Sequence, residues 1–450
     1  MLPTLRSAIV ALLALAPFAT SQTPIVVKNQ GYLPFADAPI NYRSENLTDP
    51  IAKLEQQLET GEIKLDYEPA RGYLRSVLSA LRVPSSSQTL VFSKTSFQYP
   101  KISPEQPRAL YYNDDIYVGQ VHDGRLLEFI SFDPMQGAIF YVMNEHQVDH
   151  PRFERSEQDC VQCHVASTTK GVPGVMLRSV YTSPSGTQAG GTPAYVTGHE
   201  SPLKERWGGW FVTGDDGGLT HMGNAILPEG TTPEKLNRAA GGTTRDLSSR
   251  IDTSAYLTKY SDIVASLVLA HQTQMHNFIT QTNYQTRLAL SSDATKRKAG
   301  KLPGDGSISD AAKQQFQKPA EQLVRYLLFT SEAVLENPVR GTSGFAEEFA
   351  ARGPRDAKGR SLRDFDLNTR IFRYPCSYLI YSEHFDNLPS PAKEYVYGRM
   401  FEILTGREQS SEFSSLLPKD RRAILEILVA TKPGIPDEWK KFVEQNPARD

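Results

Sequence analysis

Between Thr89 and Met143 the chain alternates runs of β-branched and aromatic residues with tight-turn chemistry, and this pattern limits that stretch to a sheet. The runs are Leu90-Val91-Phe92, Ile116-Tyr117-Val118, Leu126 to Ile130 and Ala138 to Val142. Asn113-Asp114-Asp115, His122-Asp123-Gly124 and Asp133-Pro134 separate them, and the Asp-Gly pair is a strong hairpin signal. An antiparallel meander is expected. Upstream, residues 22 to about 86 read as an irregular arm with helical pieces at Ile51 to Leu65 and Tyr73 to Leu81. Downstream, the Gly/Ser/Thr/Pro-rich tract Thr182 to Thr192 reads as a surface loop. Two short β-like pieces follow it, Ala194 to Gly198 and Trp210 to Gly214, and Gly214 to Gly218 reads as a turn. From about Thr231 the apolar spacing becomes helical, at Ser254 to Leu290, Ala311 to Leu335, Pro391 to Leu404, Lys419 to Ala430 and Pro436 to Glu444. Gly341 to Arg360 reads as a polar connector. The fold class expected is α+β, an antiparallel meander and an irregular region followed by a mostly α-helical C-terminal half.

The N-terminus reads as a secretory leader over residues 1–21. Arg6 gives a basic start, Ala8 to Ala16 an apolar run, and Ala19-Thr20-Ser21 a small-residue cleavage site before Gln22. The apolar run is too short to span a bilayer, and no later segment reaches that length. The mature protein is therefore expected to be periplasmic or otherwise exported, without an integral membrane span. A length of 450 residues suggests two domains, a mixed α/β one over 22–230 and a mostly helical one over 231–450. Net charge is −2 with both signs mixed, which argues against a nucleic-acid partner and against a strong membrane-surface patch.

Cys160-Val161-Gln162-Cys163-His164 follows the expected strands. Two thiols three positions apart can each add across a vinyl group of a porphyrin. A histidine directly after the second is then held where its imidazole can bind the iron. This order is the attachment signature of a c-type haem. One covalently attached haem c is the expected cofactor, with Cys160 and Cys163 as tethers and His164 as iron ligand. A zinc site would need a second Cys/His pair, and the third cysteine, Cys376, has no such neighbour. Cys376 lies in an apolar aromatic run and reads as a buried free thiol. The export signal agrees with the motif, because bacteria attach haem covalently outside the cytoplasm.

The other face of the iron decides the chemistry: methionine or histidine there makes an electron carrier, an open face allows ligand binding or catalysis. His221-Met222, in a glycine-rich stretch, is the leading candidate pair for the second metal ligand. Met176 comes next, although packing is the plainer role for it. His199, in Gly198-His199-Glu200, reads as polar and exposed. On the long helix, Ile263, Leu267, His271 and Met275 fall at i, i+4 steps, so His271 lies on the apolar face and reads as a buried, satisfied histidine, with distal ligation or an acid/base role as the alternative; His276 faces elsewhere. Trp207 and Trp210 could pack on a macrocycle, and Arg178 or Arg206 could pair with a propionate.

By Cys160, Cys163 and His164 the chain resembles the c-type cytochromes. The match covers the motif alone; strands precede it, and no compact helical domain of small-cytochrome size surrounds it. The resemblance implies an exported monohaem cytochrome that transfers electrons to and from a redox partner protein. A haem-dependent oxidoreductase of peroxidase or dehydrogenase type, or a haem-based sensor or binding module, is the alternative.

Overall fold

Strands β1 (Thr89–Val91), β2 (Arg108–Tyr112), β3 (Ile116–Gln120), β4 (Leu126–Asp133), β5 (Gly137–Asn144) and β6 (Glu154–Arg155) pair in chain order into one antiparallel sheet. The antiparallel meander expected from the sequence is present; β1, β3, β4 and β5 match the expected runs, whereas β2 and β6 are additional strands. The computed structural model describes residues 32–239, 242 and 244–447, so the leader expected over 1–21 lies outside the described residues. The turns form as their residues dictate. Asp123 takes φ 56° ahead of Gly124, and the Asp133 carboxylate accepts from the Met135 and Gln136 amides, each at 2.9 Å, to close the β4–β5 hairpin.

The register places side chains in two rungs on one face of the sheet. Tyr112 pairs with Tyr117, Tyr117 with Ile130, and Ile130 with Phe140. Leu110 pairs with Gly119, Gly119 with Glu128, and Glu128 with Val142. Directly opposed residues share a face, so both rungs look the same way. The reverse face, with Ala109, Tyr111, Val118, Leu127 and Ile139, packs on helices α1 (Pro50–Glu59) and α2 (Leu74–Ala80). Asp49 caps α1 through the Ile51 amide (3.0 Å) and accepts the Tyr141 hydroxyl (2.8 Å), which ties that helix to β5.

Helix α3 (Glu157–His164) follows the sheet, then the two-stranded ribbon β7 (Arg178–Val180) and β8 (Ala194–Val196). Thr182 to Thr192 is irregular, as expected; Trp210 to Gly214 makes single bridges rather than a strand. The C-terminal half is helical: α4 (Ile263–Lys298), α5 (Asp310–Leu327), α6 (Phe345–Ala351), α7 (Glu383–Asp386), α8 (Ser390–Leu404), α9 (Pro418–Thr431) and α10 (Asp437–Gln445). The chain is thus α+β. No helix among the described residues is long and apolar enough to cross a membrane.

Helix α4 is buried on every side from Ile263 to Asn277, not along one stripe. It packs against the rung-bearing face of the sheet and against α5. The described residues form one compact unit, and core residues on both sides of position 231 share a single apolar cluster. Several helices differ from expectation, α4, α5 and α6 among them. Helix α4 begins only at Ile263, because the Asp262 carboxylate caps it. Helix α5 stops at Leu327 because Phe329 turns to φ 55° and lays its ring 4.2 Å from that of His271. Helix α6 forms inside the stretch expected as a polar connector, because Phe345 and Phe349, four apart, bury one face.

Asp262 is fully buried, and its carboxylate accepts from Val264 (2.8 Å), Ala265 (3.2 Å), Thr342 (2.7 Å) and Ser343 (2.9 Å). Asp262→Ala orphans all these amides and should cost about 2–4 kcal/mol, more than an ordinary cap. Urea unfolding checks this; a loss under about 1 kcal/mol would mean that the amides find other partners.

Candidate functional site

An α-helix puts residues three and four apart on one face. In α3 this brings Cys160, Cys163 and His164 to the same side, toward the rungs of the sheet. The Ser156 amide donates to the Phe140 carbonyl (2.9 Å) and fixes the helix start to β5, while Glu157 and Asp159 suit its first turn. Cys160 and His164 are partly buried and Cys163 is exposed. Burial pushes the Cys160 thiol up to about 11.

The imidazole of His164 is oriented by the chain that follows it. Its Nδ1 lies 2.8 Å from the Gly174 carbonyl, and the Gly174 amide donates back to the His164 carbonyl at 3.0 Å. A carbonyl only accepts, so Nδ1 carries the proton and Nε2 keeps its lone pair. Burial lowers the pKa of His164, against the raising effect of the Gly174 bond, and the ring stays neutral. Helix α4 holds this segment: the Asn277 side chain accepts from the Val175 amide (2.9 Å) and donates to the Val175 carbonyl (2.7 Å). A Cβ at position 174 would lie 2.1 Å from Asn277 Oδ1, so glycine is required there.

The two thiols and His164 line a cavity of about 380 Å³, within the range of small-molecule sites. Its floor is the pair of sheet rungs, from Tyr112 and Tyr117 to Phe140 and Val142; Val175, Met176, Leu177, Trp210 and Leu269 form further walls. Arg108 and Glu128 pair inside it. Gly119 makes room for that pair, since a Cβ there would meet the Arg108 guanidinium at 2.5 Å. Phe97, half exposed, lies at the rim with Lys94 and Thr95.

The other residues singled out from sequence divide between this cavity and elsewhere. Met176 lines it, its sulfur accepting from the Thr168 hydroxyl at 3.4 Å. Trp210 and Arg178 line it too, the indole donating to the Arg178 carbonyl at 2.7 Å. His221 and Met222 do not line it. The Gly223 amide donates to His221 Nδ1 (3.0 Å), and His221 Nε2 faces Asp216 (3.1 Å), so both ring nitrogens are engaged. Met222 is buried among Tyr181, Ala225 and Leu227. Trp207 packs edge-on against His221, and Arg206 is spent on the carbonyls of Ser201 (2.8 Å) and His199 (2.6 Å).

His199, expected on the surface, is fully buried. Its Nδ1 lies 2.8 Å from Nδ1 of His271, whose Nε2 meets the Ser377 hydroxyl at 2.8 Å. Its ring stacks on Tyr326 at 3.9 Å. His276 is also buried, stacked on Phe132 at 3.8 Å with Nε2 on the Asp114 carbonyl at 2.8 Å. Sequence reasoning missed Arg108, Gly119, Glu128, Gly174 and Asn277. The strand alternation could have marked the first three as sharing a face; nothing local marks the last two. Comparison with family models, curated proteins and solved structures finds no match.

Gly174→Ala should cost about 1–3 kcal/mol by overpacking. The same change in an Asn277→Ala background should cost clearly less, because the clash partner is gone. A double-mutant cycle in urea measures this, and additive losses would refute it.

Burial lowers the His276 pKa to about 4, against about 6.5 in an unfolded chain. Unfolded protein therefore takes a proton that folded protein refuses, and this contribution to stability is lost as pH falls from about 6.5 toward 4. Relative to His276→Gln, the native protein should lose about 1.4 kcal/mol per pH unit across that window. Parallel unfolding curves at each pH would refute the assignment.

Proposed function

We propose that this chain is an exported single-haem cytochrome, with haem c attached through Cys160 and Cys163 and bound by His164, and that it exchanges electrons with a redox partner protein outside the cytoplasm. The observation that carries the reading is the convergence of both thiols on one cavity with an imidazole whose Nε2 lone pair is left available by the Nδ1–Gly174 bond. Bound there, haem supplies reversible one-electron chemistry at iron. The residues fit such a group. The rung face gives a largely apolar floor that carries the Arg108–Glu128 pair, the thiols stand one helical turn apart, and Lys94 and Arg178 bring positive charge to the walls.

The chain's own contributions follow from this geometry. Gly174, clamped by Asn277, holds the tautomer and ring plane of His164 and raises its basicity as a ligand. Tyr112, Tyr117, Phe140 and Trp210 exclude water, and a low-dielectric wall disfavours added charge and raises the reduction potential. Exposed Cys163 and half-exposed Phe97 mark the side of the cavity nearest solvent, where a partner could approach.

A second reading has its own support. His164 is the one histidine among the described residues that line the cavity, and His221 and Met222 stand apart from it. Met176 is then the remaining sulfur ligand, and without it the iron has an open face suited to a haem oxidoreductase or sensor.

Protein made with the attachment machinery should be coloured and heavier by one haem, and Cys160→Ser with Cys163→Ser should lose both properties. A colourless native protein with no added mass would end the haem reading. Met176→Ala should abolish a near-infrared methionine–iron band, while Met222→Ala leaves it intact. Carbon monoxide binding to the native ferrous protein would instead favour the open-face enzyme or sensor.

A further inference from the structure

Away from the cysteine helix, a second pocket of about 250 Å³ opens where the β2–β3 turn, the start of α1, the end of β4 and helix α7 meet. Three of the residues lining it carry a hydrogen-bond acceptor without a donor among the described residues. The first is the carboxylate of Asp115, partly buried and met by no side-chain or backbone N–H or O–H. The second is Asp114 Oδ1, buried and unpartnered, its other oxygen being paired with Arg363.

The third is Nδ1 of His384, a residue 2% exposed. Its tautomer follows from its neighbour. Thr280 spends its hydroxyl proton on the His276 carbonyl (2.9 Å), so it can only accept from His384 Nε2 at 3.3 Å. Nε2 therefore carries the proton, and Nδ1 presents a lone pair. A buried acceptor without a donor costs about 1–3 kcal/mol, and two such atoms beside the Asp115 carboxylate call for a ligand that brings donors.

Charge points the same way. Arg363 pairs with Asp114 and Lys53 with Glu383 at the exposed rim at 3.7 Å, so both cations act on Asp115 only from a distance and neither pairs with it. Tyr378 and Tyr381, which also line the pocket, are neutral phenols. A bare metal ion fits poorly, because no trio of His, Cys, Asp or Glu among the described residues is arranged to hold one. The space also exceeds that of one water, about 30 Å³. Phe132, Pro134 and Leu379 give it an apolar wall.

We infer that this pocket binds the primary ammonium end of a small organic amine. Its N–H donors can answer the acceptors lining the pocket, its charge answers Asp115, and its alkyl part lies against Phe132 and Pro134. The site is independent of the cysteine motif. Burial, with Asp114 and Glu383 adding to it, pushes the Asp115 carboxyl up to about 7, so affinity rises as pH climbs through that value.

The test is calorimetric titration of the full mature protein at about pH 8, where Asp115 is ionised, with n-butylammonium, n-butanol, tetramethylammonium and magnesium as separate probes. Saturable binding of n-butylammonium alone is expected, weakened at least tenfold, about 1.4 kcal/mol, by the isosteric Asp115→Asn. Equal binding of butanol means an apolar crevice and overturns the proposal. Tetramethylammonium binding as tightly overturns the donor match, and magnesium binding in place of the amine overturns the ligand class. No saturable amine binding, or unchanged affinity in Asp115→Asn, also refutes it. Should that variant fail to fold, the four-probe comparison on native protein decides alone.

Discussion

From Ile263 to Asn277 helix α4 is encased on all sides yet carries polar side chains, and the partners that most of them find organise the molecule. A buried polar group left unpaired costs more than most packing contacts return. Asp262 therefore captures the amides of residues 342–343, and Gln272 donates to the Tyr117 hydroxyl at 3.0 Å while accepting from Tyr378 at 2.5 Å. His271 binds His199, His276 takes the Asp114 carbonyl, and Asn277 grips Val175. Each bond joins the helix to a segment far away in sequence. An apolar α4 would pack as well but would leave these segments without a fixed position along it.

The sheet and α4 together make the cysteine cavity. Cross-strand pairing supplies a floor of alternating side chains, α4 supplies Leu269 and the Asn277 clamp, and α3 closes the remaining side with its thiols and imidazole. The glycines matter as absences at two points: Gly119 admits the Arg108–Glu128 pair, and Gly174 lets a backbone carbonyl reach His164 beneath a carboxamide. The acidic pocket uses the same logic with the opposite outcome, since the turn before β3 brings two adjacent carboxylates against α7 and only one of them meets a guanidinium.

The meander was legible because its signals are local: Asp123-Gly124 and Asp133-Pro134 set the turns, and alternation set the strands. Cys160, Cys163 and His164 were legible as a group because helical spacing alone puts them on one face. His199 was misjudged because Gly198 and Glu200 make a polar neighbourhood in sequence, whereas its burial comes from Tyr326 and His271, far along the chain. Helix α6 hid behind the glycines and charges around Phe345 and Phe349. His221 and Met222 stood out by their glycine-rich surroundings. Nothing local reveals that Asp216 and the Gly223 amide already engage the imidazole. Asn277 reads as an ordinary polar helix residue until Val175 is placed beside it.

The pairing of β3 has a consequence for assembly. Side chains alternate, so sliding β3 by a single residue would present Val118 where Tyr117 and Gly119 now face the thiols, and would drive Val118 into the place of the arginine–glutamate couple. The site thus exists in one alignment only. A molecule that captures a ligand between its sheet and its cysteine helix certifies, by that capture, that its hairpins closed correctly.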